Sequence, residues 1–236
     1  MSLIKYLSWD SDFFKIKIGS VCSDNLTDIE LFELLLIGKK EGYKLLYVTN
    51  SLKEISSPIF KDQFDFTLVD TKVVYEKKII GFGEAEGCRS FSKFDNRSFL
   101  YALALESGQF SRYKIDRHFP AGEFERFYYT WIENSLNGIM ADDIFVYEIE
   151  GEIVGFITVS YKGTKSNIGL IATSSSYQGK GIGQLLVQYA ENKAIENGCK
   201  ILCVATQQAN SKACSFYEKK IGMYLTEQNN IYHLWF

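Results

Sequence analysis

The chain has 236 residues, a net charge of −3, 46% hydrophobic and 15% aromatic content. That composition supports a real core and excludes a disordered chain, while the charge excludes nucleic-acid binding driven by bulk positive charge. The length fits one large domain or two small ones. No apolar run reaches the roughly 18 residues of a membrane span, and the start lacks the basic, apolar, small-residue pattern of a signal peptide. The five cysteines lack CxxC spacing, and two histidines, His118 and His233, give a metal few ligands. The expectation is a reduced, cytoplasmic protein with no metal and no membrane or nucleic-acid partner.

In chain order, strand patterns fall near Ile16–Val21, Lys44–Thr49 and Phe66–Tyr75, with a helix near Thr27–Glu41 between the first two. Asp24 or Thr27 is placed to cap that helix, and Gly42 to close it. Gly81, Gly83 and Gly87 make residues 77–90 the clearest composition break, a boundary or loop. A short strand (Cys88–Ser92), a helical region (Phe99–Gln109) and the polar loop "SRYKIDRHFPAGE" follow. A helix from about Gly122 to Asn137 carries Phe124, Phe127, Tyr128, Trp131, Ile132 and Leu136 at helical spacing; Tyr128 and Trp131 read as core. "DIFVYEIEGEIVGFITVSYKG" reads as a hairpin turning at Glu150-Gly151, and "SNIGLIAT" as a third strand. A further helix runs to Asn197 with Ile182, Leu185, Leu186 and Tyr189 on one face, and Gly198 stops it. "KILCVAT" is a strand whose Cys203, with Cys199 just before it, reads as core. Asn210–Lys220 is a helix, and "IGMYLTE" and "NNIYHLWF" are two closing strands.

"EGYKLLYVTNS" echoes "NGCKILCVATQ", so the N-terminal part reads as a degenerate copy of the C-terminal half. Any helix–glycine–strand unit would give the same echo. The expected domains are 1–80, an α/β unit without ligand, and 86–236.

Three glycines in five residues, Gly179, Gly181 and Gly183, open the Asn197 helix. Glycine weakens helices and strands, so the cluster needs a cause. The spacing fails the dinucleotide fingerprint, because the third glycine falls one position early, and Lys180 is not followed by Ser or Thr as a nucleotide-triphosphate loop requires. What remains is an anion site of backbone N–H groups at a helix N-terminus.

Gln178 to Gly183, Q-G-K-G-I-G, matches [R/Q]xxGx[G/A], and Asn210 to Met223, "NSKACSFYEKKIGM", matches NxxAxxxYEKxGF with one extra residue before the glycine. With the strand order around them, these two signatures resemble the GNAT N-acetyltransferase family. The resemblance implies an α/β (α+β) GNAT fold, a mixed central sheet flanked by helices, with the N-terminal domain as a degenerate half-GNAT. Stretches such as "SWDSDFFKIKIG", "FSRYKIDRHFP", "ERFYYTWIENSLNG" and "YHLWF" further resemble members that acetylate a dTDP-linked amino-dideoxy sugar.

From that resemblance, acetyl-CoA is the co-substrate. The amides of Gly179, Lys180, Gly181, Ile182 and Gly183 would hold its pyrophosphate, with Gln178 and Lys180 adding side-chain contacts. Leu170, Ile171 and Ala172 would pair through backbone with the pantetheine arm. Asn210 would contact the arm or simply cap its helix. Tyr217 would be the general acid: amine attack on a thioester expels a thiolate, and a phenol of ordinary pKa about 10 is protonated at neutral pH. No base stands out; Glu125, Glu133, Glu148 or a water relay would serve. Arg112 and Tyr113 would meet the nucleotide sugar, by charge and by stacking. A GNAT acting on another small amine or a protein N-terminus, and a non-catalytic acyl-CoA-binding module, stay open, as does a homodimer.

Overall fold

The computed structural model describes residues 3–51, 55, 60 and 63–236. These fall into two compact units: one reaching to Val73 and resuming at Glu227–Phe236, the other Val74–Thr226. The division thus falls before the glycine-rich 77–90 segment expected as the boundary, and the end of the last strand belongs with the first unit rather than with residues 86–236.

The first unit begins with β1 (Lys5–Tyr6), α1 (Ser8–Phe14), β2 (Ile18–Cys22), α2 (Asp28–Lys40) and β3 (Leu45–Asn50). It also takes up residues of β4 (Asp65–Lys78) and β10 (Tyr224–Trp235). β2 and β3 are parallel, as a strand–helix–strand crossover demands, and β3 pairs antiparallel with β10. Leu31, Leu34 and Leu35 put the apolar face of α2 onto Val21, Leu46, Val48 and Leu234, closing a core with Phe60 and Tyr232. Thr27 and Glu30 form a reciprocal capping box at the start of α2, as the Thr27 expectation required. Helix α1 was missed; Ser11 anchors it, with its hydroxyl donating to the Leu7 carbonyl and accepting from the Ile18 amide.

The second unit carries β5 (Cys88–Ser90), α3 (Ser98–Ser107), a short α4 (Arg112–Ile115), α5 (Glu123–Leu136), β6 (Asp143–Ile149), β7 (Glu152–Lys162), β8 (Lys165–Thr173), α6 (Ile182–Glu196), β9 (Ile201–Gln207) and α7 (Ser211–Ser215). Its strand order is β4-β9-β8-β7-β6-β5. β5 to β8 are antiparallel neighbours and β8–β9 is parallel, so the sheet is mixed. Glu150 and Gly151 both take positive φ, the signature of the tight hairpin turn expected there. The buried stripe of α6 is Ile182, Leu186, Val187, Ala190 and Ala194, while Leu185 and Tyr189 sit half-buried at its flank. Cys199 and Cys203 are core residues, as expected, and all five cysteines are free thiols. No described helix is long and apolar enough to cross a membrane.

Three expectations are corrected. The loop after Gln109 holds α4, capped by the Ser111 hydroxyl. The two closing strands are one, β10, because no residue between Tyr224 and Trp235 turns to positive φ. The Asn210–Lys220 helix is α-helical only to Ser215; Phe216–Ile221 is a π-helical turn closed by Gly222 at φ 73°. A π turn accommodates one residue more than an α turn. That is where the second signature carries its extra residue.

Candidate functional site

Helix α6 starts at Gly181, which is left-handed at φ 84° and offers no side-chain cap. Gly179 is left-handed too, at φ 80°. L residues resist that region, so these two glycines are required by backbone shape. Among the described residues, none of the five amides from Gly179 to Gly183 donates to an acceptor. The segment is therefore a row of N–H groups at the positive end of a four-turn helix. Gln178 turns back instead, its side-chain amide donating to the Thr173 carbonyl at 3.2 Å. The Lys180 ammonium lies 4.7 Å from the centre of the Tyr177 ring.

Gly183 has a different reason. A β-carbon there would lie 3.2 Å from the Phe216 ring, so the third glycine lets the first turn of α6 meet the π turn. The glycine cluster and the residue preceding Tyr217 are thus in direct contact.

Strand β8 arrives at this loop irregularly. Between Ile157–Ile171 and Val159–Ile168 its pairing with β7 shifts by one residue, a bulge at Gly169-Leu170. The Thr158 hydroxyl accepts the Leu170 amide at 2.8 Å, filling the broken ladder. On the other edge, β8 pairs with β9 only from Lys165–Ile201 to Ile168–Val204. Beyond that the strands part, leaving the Gly169–Thr173 edge, with Leu170, Ile171 and Ala172, without a register partner in β9. A bulge and a parting of β8 from β9 thus lie in the strand that leads into the glycine loop, leaving an open backbone edge there. The Trp131 indole N–H, buried and without an acceptor among the described residues, lies 3.8 Å from where a β-carbon on Gly169 would be.

Asn210 caps α7, its Oδ1 accepting the Ala213 amide at 3.1 Å, which fixes that side chain in the cap role. Tyr217 is buried, 4% exposed, and among the described residues its hydroxyl has no hydrogen-bond partner. Burial pushes its phenol well above the ordinary 10.0, and the Cys214 thiol adds to the shift. Its ring neighbours are Phe216 and Tyr75 of β4, at 5.4 and 5.9 Å between centres. Sequence reading did not reach Tyr75, since it lies outside both signatures.

The candidate bases are occupied or exposed. Glu148 is bonded to Arg89, whose guanidinium also holds Asp95. Glu133 accepts from the Tyr101 hydroxyl and pairs with Arg97 at 3.5 Å. Glu125 is solvent-exposed. Arg112 donates to the Tyr113 hydroxyl at 2.9 Å and lies over its ring. Tyr113 itself is buried against Phe119 and Phe127, so its faces meet protein rather than a base.

The first unit repeats the strand–helix–strand plan without the open edge. β2 and β3 stay paired from Ile18–Leu45 to Cys22–Thr49, and the Ser23 amide continues onto the Thr49 carbonyl. The start of α2 is closed by its own side chains, the Glu30 carboxylate taking the Thr27 amide at 2.8 Å and the Thr27 hydroxyl taking the Glu30 amide.

Residues 109–223 match the acetyltransferase (GNAT) family. The chain is similar to dTDP-fucosamine acetyltransferase of Escherichia coli, 35% identical over 120 residues, half of each chain. It is also similar to an acetyltransferase of Pectobacterium atrosepticum, 32% identical over 89 residues, 37% of this chain and 62% of that one. The chain thus spans about half to three-fifths of the length of these relatives. Its fold is shared with a GCN5-related N-acetyltransferase from Sphaerobacter thermophilus, TM-score 0.62 at 15% identity over 98% of this chain and 75% of that one. A functionally unknown conserved protein from Staphylococcus epidermidis shares it too, TM-score 0.68 at 11% identity over 99% and 90%.

Proposed function

We propose that this chain, whose residues 109–223 match the acetyltransferase (GNAT) family, is an acetyl-CoA-dependent N-acetyltransferase acting on a nucleotide-linked amino sugar. The observation that carries the reading is the run of acceptor-free amides from Gly179 to Gly183, beside a β8 edge that has parted from β9. Both fit acetyl-CoA: the amides suit a pyrophosphate, and the open edge suits the amide-bearing arm. Bound there, acetyl-CoA supplies the activated acetyl group.

The chain's own residues do the rest. The α6 N-terminus holds the anionic end by aligned N–H groups and dipole. The β8 edge from Leu170 to Ala172 orients the arm through backbone pairing. Asn210 fixes the start of α7 and with it the approach of the π turn. Tyr217 keeps its proton at every physiological pH and donates it to the departing sulfur. The ion-paired state of Glu133 and Glu148 supports a water relay for the amine proton. The N-terminal unit takes no part in CoA binding: its paired strands leave no open edge between them, and its helix start is capped by a carboxylate that repels phosphate.

The acceptor class rests on the likeness to dTDP-fucosamine acetyltransferase. Arg112, seated on the buried Tyr113 ring, is the cation proposed for the acceptor's diphosphate, and Tyr113 its platform. Free-thiol release from acetyl-CoA against dTDP- and UDP-amino sugars tests the reading. Release with a dTDP-amino-dideoxy sugar, weakened by Arg112→Ala through acceptor KM, is expected. No release with any sugar nucleotide rejects the acceptor class; release with another amine keeps the acetyltransferase and replaces its substrate.

A further inference from the structure

Tyr75 stands on β4, 34 residues before the segment that matches the family begins at residue 109. It is 3% exposed. Its hydroxyl donates to Glu218 Oε1 at 2.7 Å, and its ring lies 5.9 Å from that of Tyr217. Glu218 follows Tyr217 in the π turn. A π turn is a wide, weakly bonded form that persists where its surroundings hold it. Here its C-terminal end is fixed by Gly222 and by the Met223 amide on the Tyr217 carbonyl at 2.9 Å. Its middle has the Tyr75–Glu218 bond.

We infer that Tyr75 is the positioning residue for the proton-donating Tyr217: it pins Glu218, and so sets the π turn that aims the phenol, from a strand outside the family segment. The inference rests on the reading of Tyr217 as the acid.

Several features converge on this role. The Tyr217 hydroxyl has no hydrogen-bond partner among the described residues, so its aim depends on packing and on the backbone of its turn. The two aromatic neighbours are Phe216, which meets Gly183 of the anion loop, and Tyr75. Burial raises both phenols above their ordinary value, and the Cys214 thiol adds to each shift. Tyr75 touches neither the loop nor the open β8 edge in any contact described, so its removal leaves the carrier's binding surface intact.

The test is a cycle of Tyr75→Phe, Tyr217→Phe and the double variant, read by thiol release with a dTDP-linked 4-amino-4,6-dideoxy sugar and with water as the only acceptor. A second reading, on protein without CoA, is amide hydrogen exchange from Glu218 to Met223. Tyr75→Phe keeps the ring and loses the bond to Glu218. It is expected to lower kcat roughly tenfold to a hundredfold with acetyl-CoA KM unchanged, the order expected for a slightly misplaced catalytic group. It is also expected to speed exchange in the turn. In the Tyr217→Phe background it should cost almost nothing further, because its effect passes through that phenol. Glu218→Gln, whose amide oxygen still accepts, should retain most of the turnover, and Glu218→Ala should mimic Tyr75→Phe. Equal losses in both backgrounds, or unchanged kcat and exchange in Tyr75→Phe while Tyr217→Phe is impaired, overturn the inference alone. Full turnover in Tyr217→Phe overturns both this inference and the acid assignment.

Discussion

Gly183 meets Phe216: a β-carbon on the glycine would stand 3.2 Å from the ring. One glycine therefore couples the anion loop to the turn that carries Tyr217. Among the described residues the other two glycines have no neighbour where a β-carbon would go; their left-handed backbone is what calls for glycine.

Gly181 and Gly183 should separate in kinetics. Gly181→Ala forces a side chain into a left-handed conformation at a cost of about 1–2 kcal/mol. Acetyl-CoA KM should rise about tenfold, with kcat held within about threefold. Gly183→Val pushes on Phe216, so kcat should fall while acetyl-CoA KM moves little. Steady-state kinetics of the two variants checks the split; a common KM effect would show that both glycines serve only the loop.

Thr27→Ala removes the reciprocal cap of α2. The loss should be about 1 kcal/mol, a fall of roughly 2–4 °C in melting temperature for a chain of this size. Acetyl-CoA KM should not change if, as proposed, the N-terminal unit takes no part in carrier binding. Calorimetry and kinetics on the same sample measure both.

Alkaline pH should destabilise the protein through buried phenols. Burial raises the pKa of Tyr217, and burial with the Asp143 hydrogen bond raises that of Tyr161, both above the ordinary 10.0. The folded state keeps protons that the unfolded state releases from about pH 10 upward. The stabilisation is complete below pH 10 and is lost as pH rises through the folded values. Melting temperature should be flat with respect to these groups to about pH 9 and fall beyond pH 10. Tyr161→Phe and Tyr217→Phe should each flatten that fall. An equally steep decline in both variants would assign it to other groups.

Much of this was legible in the sequence, and the limits have physical causes. The loop was readable because left-handed backbone selects glycine, and the α2 cap because Thr and Glu three apart bond reciprocally. The role of Gly183 was not, since it depends on Phe216, 33 positions away. The extra residue in the second signature was visible, but only the fold shows that a π turn absorbs it. Tyr113 reads as a surface aromatic in a charged loop, yet α4 turns it into the core. The β8 bulge leaves no alternation for a period to detect, because Gly169 breaks it. Tyr75 lay in an ordinary strand pattern, and nothing local marks it as a neighbour of Tyr217.

The central claim is that the loop amides hold the carrier. Backbone amide NMR on titration with CoA tests it most directly. The resonances of Gly179 to Gly183 should shift together and saturate, as N–H groups without acceptors gain a pyrophosphate, while those of Thr27 to Glu30, already capped, stay in place. Unmoved loop amides at saturating CoA, or shifts confined to the start of α2, would contradict the account.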